Sequence, residues 1–285
     1  MKCLIKIIIA LIICFVLVAG ALLCGYFFIK NTYGIDLIKT VQELNALLVV
    51  PDESVVAPNK FSSSDMVDLQ TEVNESVEQM ITYAESNGYV INFDDLPSEM
   101  RAIIKLTDKQ IGAFAETVIK QEYDNKITIG ENQLGINVCQ IDFSSFDGKV
   151  LFNAVVKVNV DSLKENISDA FPFGQLKGLI PSNFYISSTV LVSRDSTPFS
   201  YSVEHYSFGI NQLTGEDSED LFHTLDLLTG IGSCENLNVA IGNLIVGSLI
   251  GGENVDGLGY ALKDIGATDY AFTFESDGDY FSILR

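Results

Sequence analysis

The stretch KVLFNAVVKVNV, Lys149–Val160, gives the clearest strand pattern in the chain. Apolar residues occupy every second position, and a period of two is that of a β-strand with one buried face. At roughly 3.3 Å per residue the strand would be about 40 Å long, well above the usual length. An apolar face of that length has to be buried against other elements. Its members are Val150, Phe152, Ala154, Val156, Val158 and Val160.

Three further strand patterns flank this stretch. Residues 136–143 alternate in the same way, with a slip near Gln140 that indicates a β-bulge. Asp147-Gly148 is a hairpin turn signal, so this strand and Lys149–Val160 are expected to pair antiparallel. Two more long strands are predicted at 183–194 and 199–212. Together the four patterns predict a long, curved antiparallel sheet.

Apolar residues at helical spacing predict helices before and after these strands. The pattern over 64–87 builds one apolar stripe, and Thr107-Asp108-Lys109-Gln110 has the form of a capping box at a helix start. Acidic residues crowd the first turn of a helix that begins near Glu216, where they favour the positive end of the helix dipole. The last predicted elements are a helix at 236–250 and a hairpin at 270–284.

An uncharged run extends from Ile7 to Ile29. A helix of this length spans roughly 34 Å, which is enough to cross a hydrocarbon core of about 30 Å. An uncleaved signal anchor is the first interpretation. The alternatives are a cleaved signal peptide, because Ala19-Gly20-Ala21 has the pattern of a cleavage site, and a lipoprotein signal ending at Cys24. Lys2 and Lys6 place the N-terminus in the cytoplasm by the positive-inside rule.

An anchor at the N-terminus divides the chain into three parts. Residues 1–30 are a transmembrane signal anchor, 31–61 a stalk or linker, and 62–285 an exported α+β domain. The expected location is the cell membrane, with a single crossing and the domain on the extracytoplasmic side. The fold class is therefore α+β: an N-terminal transmembrane helix, then a long, curved antiparallel sheet packed on amphipathic helices, with C-terminal helices and a hairpin.

The exported part is strongly acidic. The whole chain has 17 basic and 38 acidic residues and a formal charge of −21. Three basic residues precede residue 31, which leaves 14 for the exported part and a formal charge near −24. This charge argues against nucleic-acid binding, which needs a basic surface, and against docking on anionic lipid. It favours solubility and repulsion between copies of the chain.

The sequence contains no motif of a known enzyme chemistry, neither a nucleophile elbow, a zinc-binding helix, a phosphate-binding loop nor a Cys-x-x-Cys pair. The two histidines, His205 and His223, lie on different predicted elements. No catalytic residue, metal site or cofactor is therefore predicted. Cys139 and Cys234 either pair as a disulfide in an oxidising compartment or stay as two buried free thiols.

The order of helix, four long strands and helix over roughly residues 100–230 resembles bacterial envelope proteins with tubular lipid-binding-like domains. The helix start Leu106-Thr107-Asp108-Lys109-Gln110 and the strand from Pro181 to Val192 carry this resemblance. The resemblance implies a hydrophobic groove for lipid or another apolar ligand outside the membrane. The residues expected to line it are Val150, Phe152, Val156, Val158, Phe184, Ile186 and Val190.

Two functions are therefore expected. In the first, a membrane-tethered extracytoplasmic domain binds lipid or another apolar ligand in a groove. In the second, the chain is a non-catalytic surface module for protein interaction or envelope structure, and the same apolar residues form a dry core. The sequence does not identify a protein partner for either function.

Overall fold

The computed structural model describes residues 23–86, 106–170, 173–197, 200–250, 269–275 and 278–284, and it has an α+β fold. Its strands are β1 (Lys126–Ile129), β2 (Asn132–Phe146), β3 (Lys149–Asn159), β4 (Asn183–Arg194), β5 (Tyr201–Ile210), β6 (Leu213–Thr214), β7 (Asp269–Glu275) and β8 (Gly278–Leu284). Its helices are α1 (Leu37–Leu48), α2 (Glu53–Val56), α3 (Ser63–Ser86), α4 (Asp108–Glu122), α5 (Asp161–Asn166), α6 (Phe173–Lys177), α7 (Glu216–Thr229) and α8 (Cys234–Ile250). The predicted α+β class is confirmed.

Strands β1 to β6 form one antiparallel sheet in which strand order follows chain order, and β7 and β8 form the predicted C-terminal hairpin. The register shifts between Val138 and Gln140, which confirms the bulge expected from the slip in the alternation. Asp147 and Gly148 have positive φ values of 48° and 75° at the β2–β3 turn. These are the backbone conformations that a tight type I′ hairpin requires.

The main hydrophobic core lies on the face of the sheet that α4, α7 and α8 cover. Val156, at the middle of β3, is fully buried and pairs with Val138 on one side and Ile186 on the other. Helix α8 approaches β4 and β5 closely at Gly242. The long apolar face predicted from the sequence is therefore buried by helices, as its length requires.

Helix α4 begins with the predicted capping box. Thr107 Oγ1 accepts a hydrogen bond from Gln110 N at 3.3 Å, and Gln110 Oε1 accepts one from Thr107 N at 2.9 Å. Helix α3 packs beside α4. Just before α3, the ring of Phe61 lies against Gly112, where a Cβ atom would come within 2.5 Å of the ring. Gly112 thus provides the space that seats the start of α3 on α4.

Residues 31–61, expected to be a stalk, pack on the domain instead. Helix α1 buries Leu44 and Leu47 in the main core, and Lys39 Nζ lies 2.9 Å from Asp220 Oδ2 of α7. Residues 53–59 then cross the opposite face of the sheet. The short apolar pattern of α1 has a partner in α7, which local sequence could not show.

The predicted membrane span falls mostly outside the described residues, which begin at residue 23. Residues 23–33 are helical. Over the described ranges, none of the helices combines the length and the apolar composition needed to cross a membrane.

Candidate functional site

The residues expected to line a ligand groove lie in the packed core. Val150 is partly buried and packs against the core. The other six are at most 2% exposed, namely Phe152, Val156, Val158, Phe184, Ile186 and Val190. Phe184 borders a cavity of about 10 Å³, which has room for a single water molecule. Where the structure describes this face, it is core packing, so an open site has to be sought elsewhere.

The bulge in β2 changes which side chains reach the opposite face of the sheet. Val138 pairs with Val156 and Gln140 pairs with Val155, so Cys139 is the extra residue. Val138 and Val156 face the main core, whereas Val155 faces away from it. The bulge therefore sends two consecutive side chains, Cys139 and Gln140, to the face opposite the main core.

Residues 53–59 are seated on this bulge. Gln140 Oε1 accepts a hydrogen bond from Asn59 N at 2.9 Å, and Cys139 Sγ donates one to Glu53 Oε1 at 3.2 Å. A small apolar cluster lies beneath them, formed by Ala57, Cys139, Val155 and Tyr185. A local irregularity in one strand thus fixes a segment that is about 80 residues earlier in the chain.

A groove of about 840 Å³ lies beside this segment, between the start of α3, helix α4 and strands β2 and β3. Strand β1 pairs with β2 only as far as Gly135, so in the described part of the chain β2 has no partner strand on that side beyond Ile136. The apolar residues of the groove are Phe61, Met66, Val67, Ala113 and Val138. The charged residues are Glu53, Lys60, Glu116, Lys120 and Lys157.

The charges in the groove are unusual for so acidic a chain. Three lysines and two glutamates give it a formal charge of +1, against −21 for the whole protein. The hydrogen bond from Lys60 Nζ to Glu53, at 2.9 Å, holds the pKa of the Glu53 carboxyl below its ordinary value. Burial raises the pKa of Glu116.

Two of the three lysines, Lys120 and Lys157, can offer their charge to a ligand. Lys157 Nζ lies 5.9 Å from the centroid of the Tyr185 ring, a cation–π contact that holds the side chain over this face of the sheet. Among the described ion pairs, none includes Lys120 or Lys157. The groove therefore presents positive charge beside an apolar wall.

Cys139 is not an activated nucleophile. Burial, together with the neighbouring Glu53 carboxylate, raises the pKa of the Cys139 thiol to about 12. The thiolate is the reactive form of cysteine, so at neutral pH this thiol is chemically inert. Cys234, at the start of α8, packs against the main core on the other side of the sheet, and both thiols are free.

We expect Cys139 in the folded protein to react with a water-soluble aromatic disulfide about a thousandfold more slowly at pH 8 than an ordinary thiol. A pKa near 12 leaves few thiolates at pH 8, and the rate should keep rising with pH well above 8.5. The reaction is followed by absorbance in a variant whose other four cysteines are serine. Glu53→Gln should speed the reaction. Fast labelling of the folded protein at pH 8 contradicts this expectation.

The histidines are not brought together. His205 Nδ1 lies 2.6 Å from Asn238 Nδ2 at the contact of β5 with α8, whereas His223 is on the exposed side of α7. Within the described residues, no group of three or more His, Cys, Asp or Glu side chains is placed to hold a metal ion. The groove beside β2 is therefore the strongest candidate for a functional site.

Sequence reasoning missed this groove because its walls come from four separate parts of the chain. Residues 53–67, 113–121, 137–139 and Lys157 meet only in the folded protein. The available signal was the slip at Gln140, since β-bulges often lie next to functional sites. No known protein family matches the chain, and neither the curated proteins nor the solved structures provide a match.

Proposed function

We propose that the chain is a non-catalytic binding domain, tethered to the extracytoplasmic side of a membrane by its N-terminal apolar run. Its ligand is an amphipathic molecule with an apolar chain and an anionic end group, and it binds in the groove beside β2. The observation that carries the proposal is the pairing of an apolar wall with the lysine charges in an otherwise strongly acidic protein.

Each half of such a ligand has a matching part of the groove. An apolar chain would lie along Met66 and Val67, the two apolar residues of the groove that are not buried in the core, where burying a methylene group contributes about 0.8 kcal/mol. A carboxylate or phosphate would accept hydrogen bonds from Lys120 and Lys157, and such charge-assisted bonds are stronger than neutral ones. The proposed ligand is thus still a lipid, as the sequence led us to expect. Its proposed site is at the edge of β2 and no longer on the core face of the sheet.

A protein-binding surface module is the second candidate, and one observation favours it. Phe146 and Tyr206 are 42% and 46% exposed, and their ring centroids are 5.3 Å apart. Exposed aromatic pairs are common at the centres of protein interfaces. Phe146 ends β2 at the β2–β3 turn, Tyr206 lies within β5, and neither ring lines the groove.

Replacing Lys120 and Lys157, two of the three groove lysines, should weaken ligand binding about tenfold. The probe is a photoactivatable fatty acid added to the full chain in nanodiscs, with crosslinked peptides identified by mass spectrometry. Crosslinks are expected in the peptide that contains Met66 and Val67, and Lys120→Gln/Lys157→Gln should reduce them. The loss of two exposed charge-assisted contacts corresponds to about 1.4 kcal/mol.

The matched control is Lys126→Gln/Lys149→Gln, which removes the same charge outside the groove. It should leave crosslinking within about twofold of the unchanged chain. Excess unlabelled fatty acid should compete, whereas acetate, which has the end group alone, should not. Equal loss in both double variants, or crosslinks spread over the surface, would contradict the proposed site.

A further inference from the structure

The helical segment 23–33 is part of the folded domain. Ile29 is 5% exposed and Ile35 is 4% exposed, and both belong to the main hydrophobic core. Lys30 Nζ lies 2.7 Å from Asp36 Oδ2, which joins the segment to the start of α1. The end of the apolar run is thus fixed to the domain, with no free linker between them.

The segment meets one end of the sheet. The Tyr33 ring lies edge-on to the Phe173 ring, with centroids 5.6 Å apart. Phe173 begins α6, which lies in the connection between β3 and β4. That connection joins Asn159 at the end of β3 to Asn183 at the start of β4. We call this end of the sheet the base, and the 11-residue strand β3 extends away from it. The opposite end, at Phe146, is about 33 Å away at roughly 3.3 Å per residue.

Aromatic side chains are concentrated at this base. Phe27, Phe28 and Tyr33 are 55%, 62% and 49% exposed, and Phe28 contacts Tyr33 edge-on. With Phe173 they form the basal patch. Its sequence neighbours on the N-terminal side, residues 7–22, carry no charge. Tyrosine and tryptophan are enriched where an apolar span meets the membrane surface, and the patch contains Tyr33 among its apolar phenylalanines.

We infer that the domain lies directly on the outer surface of a lipid bilayer, with the basal patch in the interfacial layer. The inference rests on the membrane tether of the proposed function. A bilayer is favoured over a second copy of the chain because the apolar run continues from the patch, and because the net charge of −21 makes copies repel each other.

This placement brings the groove close to the bilayer. Lys157 lines the groove and is two residues from Asn159 at the base, a separation of roughly 7 Å along the strand. An amphipathic ligand could therefore pass between the leaflet and the groove over a short path.

The chain has no tryptophan, so single tryptophans report position directly. Three variants of the full chain, Leu23→Trp, Phe173→Trp and Phe146→Trp, are reconstituted in vesicles of brominated phosphatidylcholine, which quenches tryptophan at the lipid. Leu23→Trp reports the tether, Phe173→Trp the base and Phe146→Trp the far end. We expect strong quenching of the first two and no quenching of the third. Tyr33→Trp replaces Phe173→Trp if that variant melts early.

Quenching of Leu23→Trp alone would overturn the inference and leave the tether in place. Absence of quenching at both Leu23→Trp and Phe173→Trp would overturn the membrane tether as well. Ligand binding would still be tested separately, by the crosslinking of fatty acid to the groove. Quenching at Phe146→Trp equal to that at the base would also overturn the inference, because the domain would then contact lipid without a preferred face.

Discussion

Asn238→Ala should lower the free energy of unfolding by about 3 to 5 kcal/mol, the largest effect that we expect for a single truncation. Asn238 is fully buried in α8. Its Nδ2 atom lies 2.8 Å from Thr189 O, 3.1 Å from Ser207 O and 2.6 Å from His205 Nδ1. Its Oδ1 atom accepts a hydrogen bond from Ser188 Oγ.

The reason for this arrangement is a second bulge. Thr189 pairs with Ser207, but the next residue, Val190, pairs with His205, so the β4–β5 register shifts at this point. A bulge leaves backbone groups without ladder partners, and a buried carbonyl without a donor is costly. The amide of Asn238 supplies donors to two of these carbonyls. Alanine supplies none and would leave both carbonyls without a donor from α8.

Urea unfolding followed by circular dichroism measures the effect. The control is Asn243→Ala, which lies in the same helix but is exposed and should change stability by less than about 0.5 kcal/mol. Asn238→Asp keeps the shape but loses the donors, so it should destabilise at least as much as Asn238→Ala. If Asn238→Ala behaved like Asn243→Ala, the amide would have no role in holding the bulge.

Gly242→Ala and Gly247→Ala should change stability in opposite directions, although they are the same substitution in the same helix. At Gly242 a Cβ atom would lie 2.8 Å from Val203 Cγ1 and 2.9 Å from Val190 Cγ2. β-Branched side chains are stiff, so α8 would have to move away from the sheet. We expect a loss of about 2 kcal/mol from this overpacking.

At Gly247 no atom lies within 4 Å of the Cβ position. Alanine has a better helix propensity than glycine by about 1 kcal/mol, so Gly247→Ala should stabilise the protein by up to that amount. The comparison uses urea midpoints of the two variants measured side by side. Equal gains in both variants would show that α8 does not approach β4 and β5 as closely as the structure describes.

Local patterns predicted most of the secondary structure. The alternation of Lys149–Val160 became β3, the capping box at Thr107 became the start of α4, and the slip at Gln140 became the bulge in β2. Each of these signals lies within a few neighbouring residues, so the sequence displays it directly. The short strands β1 and β6 were missed, because a strand of two to four residues is too short to show a period.

Longer-range packing was not predictable in the same way. The segment 31–61, expected to be a stalk, contains Pro51 and Pro58, which end helices but do not show whether the segment packs on the domain. Leu44 and Leu47 lie against the core because α7 provides a partner surface about 180 residues later. Whether Cys139 and Cys234 pair as a disulfide likewise depends on the face of the sheet that each cysteine joins. They join opposite faces, and both thiols are free.

The sequence alone determined the α+β class, the buried face of β3, the acidic charge and the apolar run before residue 30, because composition and periodicity are properties of local chain segments. Only the tertiary structure decided that the residues of this face form a packed core where they had been expected to line a groove, and that an open groove lies at the edge of β2. Whether an apolar residue fills a core or borders a groove depends on atoms that are distant in the sequence. The lysines and apolar residues of the groove become neighbours only when α3, α4 and the β2 bulge come together.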